Sequence, residues 1–421
     1  MKWRGRMDSV NKSVSNIQKY LNERTISTGV LAAIFGCTGP ALIIIGGARD
    51  AGLTTEQMFS WLFAVYFFGS LIGIYMALKY KQPIVGAYSI PGAVLVAAGL
   101  QSYSLNEISG AYLAAGIIVL ILGLSGLIGK IMNWIPVPIV MAMIVGAMIK
   151  FGTDMIVSIQ GAPLIVGGAI VSYLLSSRLI PKLPPILIAF IVGCILASFT
   201  GHFQMGEMQT GLSLPQILMP VFNIEAIIAV GIPLALLVIG AENAQSIGVL
   251  MAEGYKPPIN AMTIISGIGG IVTSFFGGHN ANIAGPMTAI CASEESGDKE
   301  GRYASVIVNG ILFGGFGLVA GVAVSFVLAL PSVLVATVAG LAMVGVLVSS
   351  LQTAFTGKNF QIGAFFSLII AMSGISFFGV SSPFWALIGG VLVSLILESK
   401  DFNVGRISVE NEKEELSQTG A

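Results

Sequence analysis

Charge is what this chain has least of. Only 10% of its 421 residues are Asp, Glu, Lys or Arg, whereas a soluble protein keeps about a quarter of its residues charged to cover its surface. A water-facing globule is therefore excluded. Twenty basic residues are balanced by twenty acidic ones, so there is no positive excess of the kind that holds nucleic acid. Histidine is almost missing, with His202 and His279 alone. No HExxH, no nucleophile elbow and no GxxxxGK[ST] phosphate loop occurs, which argues against soluble-type catalysis and against an ATP site. The three cysteines, Cys37, Cys194 and Cys291, sit in or at the ends of apolar stretches without the spacing of a metal site or a disulfide framework. They read as small core residues, and no cofactor or metal is expected.

What the chain has instead is apolar length: 55% hydrophobic residues, 53 glycines and a mean hydropathy of +0.90. Stretches of about twenty apolar residues mark helices that can cross a bilayer. Fourteen candidates run 27–46, 56–78, 84–101, 109–129, 136–157, 162–179, 185–200, 224–250, 259–277, 279–292, 304–328, 331–351, 360–378 and 382–398. The expected fold is thus an all-α polytopic membrane protein. Residues 1–26 are polar and basic with no signal-peptide core, and read as a cytoplasmic tail or interfacial helix. Residues 399–421 read as a solvated cytoplasmic tail. With both ends inside, fourteen crossings place Lys79, Lys81, Lys130, Arg178, Lys182, Lys256, Lys299, Arg302 and Lys358 on the cytoplasmic side of a plasma (inner) membrane and leave Arg49 alone outside, as the positive-inside rule requires.

Fourteen spans divide into seven and seven, and an odd number per half inverts the second half relative to the first. Corresponding segments share an oddity. The third reads PIVGAYSIPGAVLVAAG and the tenth GGHNANIAGPMTAICAS. Each has a short extended run, then Pro91 beside Gly92 or Pro286 beside Gly285, then a short apolar helix. Proline suits the first turn of a helix and disfavours helix in the residue before it, so each segment is expected to be a strand leading into a half-helix. Two half-helices entering from opposite faces bring two electropositive ends together near the midplane, where an anion or an acceptor-rich ring would bind. Extended backbone at that depth survives only when covered by protein or lining a watery cavity.

Ionisable side chains inside the bilayer need a reason. Glu242, within GIPLALLVIGAENAQSIGVL and followed by Asn243, is the candidate proton-coupling site, because a carboxyl in apolar surroundings can gain or lose a proton as water and substrate come and go. Its alternative is a neutral or paired carboxyl joining helices. Tyr88 and Ser89 on the first broken segment, and Asn282, Ala284 and Gly285 on the second, are the remaining binding candidates; His279 would line the outer vestibule or pair with backbone. Lys150 and Asp154, one turn apart, are expected to form an intrahelical ion pair or else a gate charge. GCTGPALIIIGG, with Cys37, Thr38, Gly39 and Pro40, loosens the first span.

The motifs QPIVGAYSIPGAVLVAAG, FFGGHNANIAGPMTAICAS with GRYASVIVNGILFG, MAEGYKPP and SPFWALIGGVLVSLIL resemble the benzoate:proton symporter (BenE) family over about residues 27–398. That family looks like a branch of the group sharing the uracil-permease fold, with nucleobase and sulfate transporters. The resemblance implies a single transporter domain, 27–398, as two inverted seven-segment repeats. It further implies a core of segments 1–4 and 8–11 (27–129 and 224–328), a gate of segments 5–7 and 12–14 (136–200 and 331–398), an elevator-type movement and a homodimer. There are departures. The family tends to have Ser-Gln-Asn where this chain has Ala241, Glu242 and Asn243, and nucleobase permeases tend to have Ala-Glu-His. Nucleobase permeases also tend to carry a second Glu where residues 281–284 read Ala-Asn-Ile-Ala, and Tyr88 stands where the family pattern has Trp. The expected function is proton-coupled symport of a small organic anion, by resemblance an aromatic carboxylate such as benzoate. The alternatives are a nucleobase:proton symporter and an uncoupled anion channel. The expected partners are that anion, a proton and the lipid bilayer.

Overall fold

The computed structural model describes residues 17–37, 39–128, 136–180, 185–203, 214–375 and 382–402. Thr38, Lys130, Lys182 and most of the two tails lie outside them. Among the described residues the helices follow the apolar segments closely: α1 (Glu23–Cys37), α2 (Gly39–Asp50), α3 (Thr55–Tyr80), α4 (Ile90–Gly99), α5 (Leu105–Ser125), α6 (Val137–Val157), α7 (Pro163–Leu179) and α8 (Pro185–Phe199). After a segment partly outside the described residues come α9 (Ile224–Met251), α10 (Ile259–Ser274), α11 (Gly285–Ala292), α12 (Tyr303–Leu318), α13 (Ala320–Ala329), α14 (Ser332–Phe355), α15 (Gln361–Met372) and α16 (Ser382–Leu397). Among the described residues six spans are by themselves long and apolar enough to cross a membrane. Local chemistry fixes several starts. Thr54 and Ser104 cap α3 and α5, each in a capping box with Gln57 or Glu107.

Both interrupted segments adopt the expected form. Strand β1 (Gly86–Tyr88) leads through Ser89 into α4, and strand β2 (Ala281–Ile283) leads through Ala284 into α11. The two strands pair antiparallel, with Gly86 opposite Ile283, Ala87 opposite Asn282 and Tyr88 opposite Ala281. The Ala284 N–H donates to the Val85 carbonyl (2.9 Å), extending the ladder. Each strand is covered by a helix that approaches through glycine. A Cβ on Gly69 of α3 would sit 2.6 Å from the Ala87 carbonyl oxygen, and one on Gly269 of α10 would overlap the Ala281 carbonyl oxygen. Side-chain-free helix faces are what let β1 and β2 lie buried, so that their polar backbone never meets lipid.

Around this centre α5 packs on α10, and α12 on both α3 and α1; separately α6 packs on α14 and α15, α15 on α16, and α7 on α8. The outward surface carries large apolar side chains such as Leu124, Leu164, Phe199 and Ile396. Such a surface has no place in water and suits acyl chains. Helix α9 is not regular: Ile227–Gly231 and Val238–Asn243 are π-helical. Pro233 has no N–H to give to Ala229, which accounts for the first widening. The second contains Glu242 and Asn243, and π turns inside α-helices recur at functional sites.

Candidate functional site at the half-helix junction

The α4 N-terminus is capped by its own residue, since Ser89 Oγ accepts the Gly92 N–H at 3.0 Å. Ala284 offers α11 no such side chain. What serves both ends is Glu242. Its Oε1 accepts the Ile90 N–H and its Oε2 accepts the Gly285 N–H, each at 3.2 Å. One carboxylate therefore bridges the electropositive ends of two half-helices from opposite halves of the chain, and its side chain is almost entirely buried. Backbone N–H groups at a helix start and the aligned peptide dipoles both favour negative charge there.

On one side of Glu242 lies a cavity of ≈ 1020 Å³. Its wall near the junction is formed by Phe35, Ile90, Pro91, Pro286 and Ile290, with Met141 and Leu341 facing them from α6 and α14. The lining extends to Ile128, Val137, Pro185, Ile259 and Thr353, beside the connections expected on the cytoplasmic side. On the other side is a recess of ≈ 10 Å³, barely room for one water, lined by Gly36, Pro40, Tyr88, Ala284 and Phe313. Glu242, Phe35, Ile90 and Pro286 border both spaces, so they form the partition between them.

The other expected site residues divide accordingly. Pro91, Pro286 and Glu242 line the cavity, whereas Tyr88 and Ala284 face only the recess. Tyr88 is held there. The Tyr66 hydroxyl donates to the Gly36 carbonyl (2.6 Å), leaving its oxygen to accept from Tyr88 (2.8 Å). Ser89, Gly92 and Gly285 build the half-helix ends without lining the cavity. Asn243 turns away: its Oδ1 accepts from Ser266 (3.1 Å) on α10. Asn282 is fully buried in β2, with neither amide atom bonded among the described residues, and does not line the cavity either.

One expectation needs correcting. Lys150 and Asp154 do not pair: the ion pair found among the described residues is Arg302–Glu253 at 2.6 Å. A lysine placed one turn before an acid is the weaker orientation of a helical pair, and Lys150 is exposed. Neither residue lines the cavity. His279 takes the second of its two expected roles, pairing with backbone rather than lining a vestibule. It is fully buried, and its Nδ1 accepts from the Trp61 indole N–H (2.9 Å). That leaves Nε2 carrying the proton and donating to the Ser89 carbonyl at 2.8 Å. An imidazole just before β2 thus ties down the residue that caps α4. Trp61 gave no signal in the sequence, being one more aromatic in an apolar span. Gln245, three residues after Glu242, also lines the cavity; composition does not give the helix face on which it stands.

A strand-paired, doubly broken helical bundle with a buried carboxylate between opposed half-helices is the build of a membrane transport protein, not of an enzyme. Solved structures share the fold. The transmembrane domain of a cyanobacterium bicarbonate transporter, BicA, superposes with a TM-score of 0.62 at 17% identity, covering 89% of this chain and 96% of that one. SLC26A9 gives 0.62 at 18% identity, covering 94% and 69%. Residues 19–396 match the family described as benzoate membrane transport protein, BenE, and the chain belongs to that family. The benzoate membrane transport protein of Acinetobacter baylyi is 29% identical over 370 residues, 88% of this chain and 94% of its own. The inner membrane protein YdcO of Escherichia coli is 29% identical over 374 residues, 89% and 95%.

Proposed function

We propose that this protein carries an aromatic carboxylate such as benzoate into the cell together with a proton, across an inner membrane with both termini cytoplasmic. The observation that carries this reading is the Glu242 carboxylate spanning the Ile90 and Gly285 N–H groups at the floor of a largely apolar cavity. Those two donors suit any carboxylate. A substrate carboxylate takes them only when Glu242 lets go, and Glu242 lets go most readily as a neutral acid, so anion and proton load together. Once both have left, the ionised Glu242 satisfies the donors itself and the empty carrier resets. The apolar wall accepts the ring, and membership of the benzoate transport family supports that choice over a nucleobase.

The helix packing supports an elevator with a core of segments 1–4 and 8–11, a gate of segments 5–7 and 12–14, and Glu242 between them. In the expected topology the cavity opens to the cytoplasm, an inward-facing state. A homodimer remains the expected assembly. The test is uptake of labelled benzoate by proteoliposomes with the outside made acidic. Accumulation that collapses when a protonophore is added supports the reading; equal flux with and without the pH gradient would make the protein an uncoupled anion pathway. Competition by uracil or xanthine, with none by benzoate, would move it to the nucleobase class.

A further inference from the structure

Near the half-helix ends the cavity wall offers few polar side chains. Glu242 is committed to two backbone donors. Across the cavity on α14, the Thr353 hydroxyl donates to the Ser349 carbonyl. Gln245 is different. It lies one turn along α9 from Glu242, lines the cavity and is exposed to it. No hydrogen bond engages its amide among the described residues. Its side chain is laid against Gly285, where a Cβ would come 2.6 Å from Gln245 Cδ and 2.8 Å from its Cβ, and would overlap Oε1. With Oε1 turned to Gly285, the two Nε2 hydrogens meet no protein acceptor among the described residues. An exposed amide without a protein partner, beside the half-helix junction of an apolar wall, can exchange its water for an acceptor on an entering ligand.

We propose that Gln245 is the residue that first takes hold of the substrate carboxylate, its Nε2–H donating to one oxygen while Glu242 still occupies the backbone donors. The inference rests on the reading of the cavity as the path of an aromatic carboxylate. Gln245 is thus a specificity residue: it favours substrates with an acceptor at the end that points to the junction.

The experiment measures benzoate binding to the purified full-length protein in detergent by titration calorimetry, with Gln245→Leu and Gln245→Glu beside the unaltered chain. A hydrogen bond to a charged group is lost in the leucine variant, which weakens binding about ten-fold or more. The glutamate variant keeps the size of the side chain but repels the ligand, and weakens binding further. Ligand-free melting temperatures stay close to that of the unaltered chain. If Gln245 merely packs against Gly285, the near-isosteric glutamate variant binds as tightly as the original, and that result overturns the proposal. So does unchanged affinity in the leucine variant. Failure of the unaltered protein to bind benzoate at millimolar concentration overturns the substrate reading, and this inference with it.

Discussion

Replacing Glu242 with glutamine tests the mechanism at its centre. The carboxylate accepts from Ile90 and Gly285 with two oxygens at 3.2 Å. An amide has one oxygen, so one backbone N–H keeps its partner and the other faces an NH2 group, donor against donor. A buried donor left unsatisfied costs about 1–3 kcal/mol, so the ligand-free variant should be less stable by roughly 2 kcal/mol. Glutamine also cannot take up a proton. In proteoliposomes with an acidic exterior, the variant should fail to concentrate benzoate. Exchange of internal for external benzoate should continue, because the two donors remain available to a substrate carboxylate, and its rate should be insensitive to pH. Size-exclusion chromatography before reconstitution separates loss of coupling from loss of fold. A variant that accumulates benzoate under the gradient as the original does would refute the coupling role outright.

Three further substitutions probe the frame around the site. Gly86→Ala should fail to give a monodisperse protein or should melt several degrees lower, because its Cβ overlaps the Gly69 carbonyl oxygen and the Gly73 nitrogen, which are backbone and cannot yield; overpacking costs about 1–3 kcal/mol. Gly167→Ala, with nothing within 4 Å of the new Cβ, is the control and should melt no lower. His279→Phe keeps the bulk but abandons the Ser89 carbonyl, and should lower stability by about 1–3 kcal/mol, whereas His279→Gln can still donate from its amide and should recover part of it in the same thermal assay. A double-mutant cycle on Lys150→Ala and Asp154→Ala should return a coupling energy under about 0.5 kcal/mol, the range of an exposed helical pair at best; a larger value would mean the two charges meet after all.

The parts legible in the sequence were those written as backbone constraints. Pro91 and Pro286 suit the first turn of a helix and disfavour helix on their N-terminal side, so the two strand-to-half-helix junctions could be placed to within a residue or two. What composition could not supply was direction around a helix. Gly69, Gly73 and Gly269 are three among 53 glycines, and only their juxtaposition with β1 and β2 gives them meaning. Trp61 and Gln245 are in the same position: one faces His279 and the other faces the cavity, and an apolar span shows no polar stripe from which to read either. Lys150 and Asp154 failed for a related reason. Their spacing allows contact, but spacing says nothing about whether an exposed lysine and a half-buried aspartate prefer each other to their surroundings.

In the proposed mechanism the inverted repeat also explains why one carboxylate would be enough. Antiparallel pairing of β1 and β2, with Ala87 opposite Asn282, fixes the two strand ends against each other, and so fixes Ile90 and Gly285, each two residues past its strand. The two N–H groups then come from opposite halves and converge on one point, each matched by one oxygen of Glu242. A geometry that seats an internal carboxylate seats an external one of the same shape. Competition between the two for one pair of donors is by itself enough to link proton uptake to anion uptake, because the internal group can yield its place at small cost only when it is neutral. In the proposed symport mechanism, then, the coupling needs no second ionisable residue in the membrane beside Glu242.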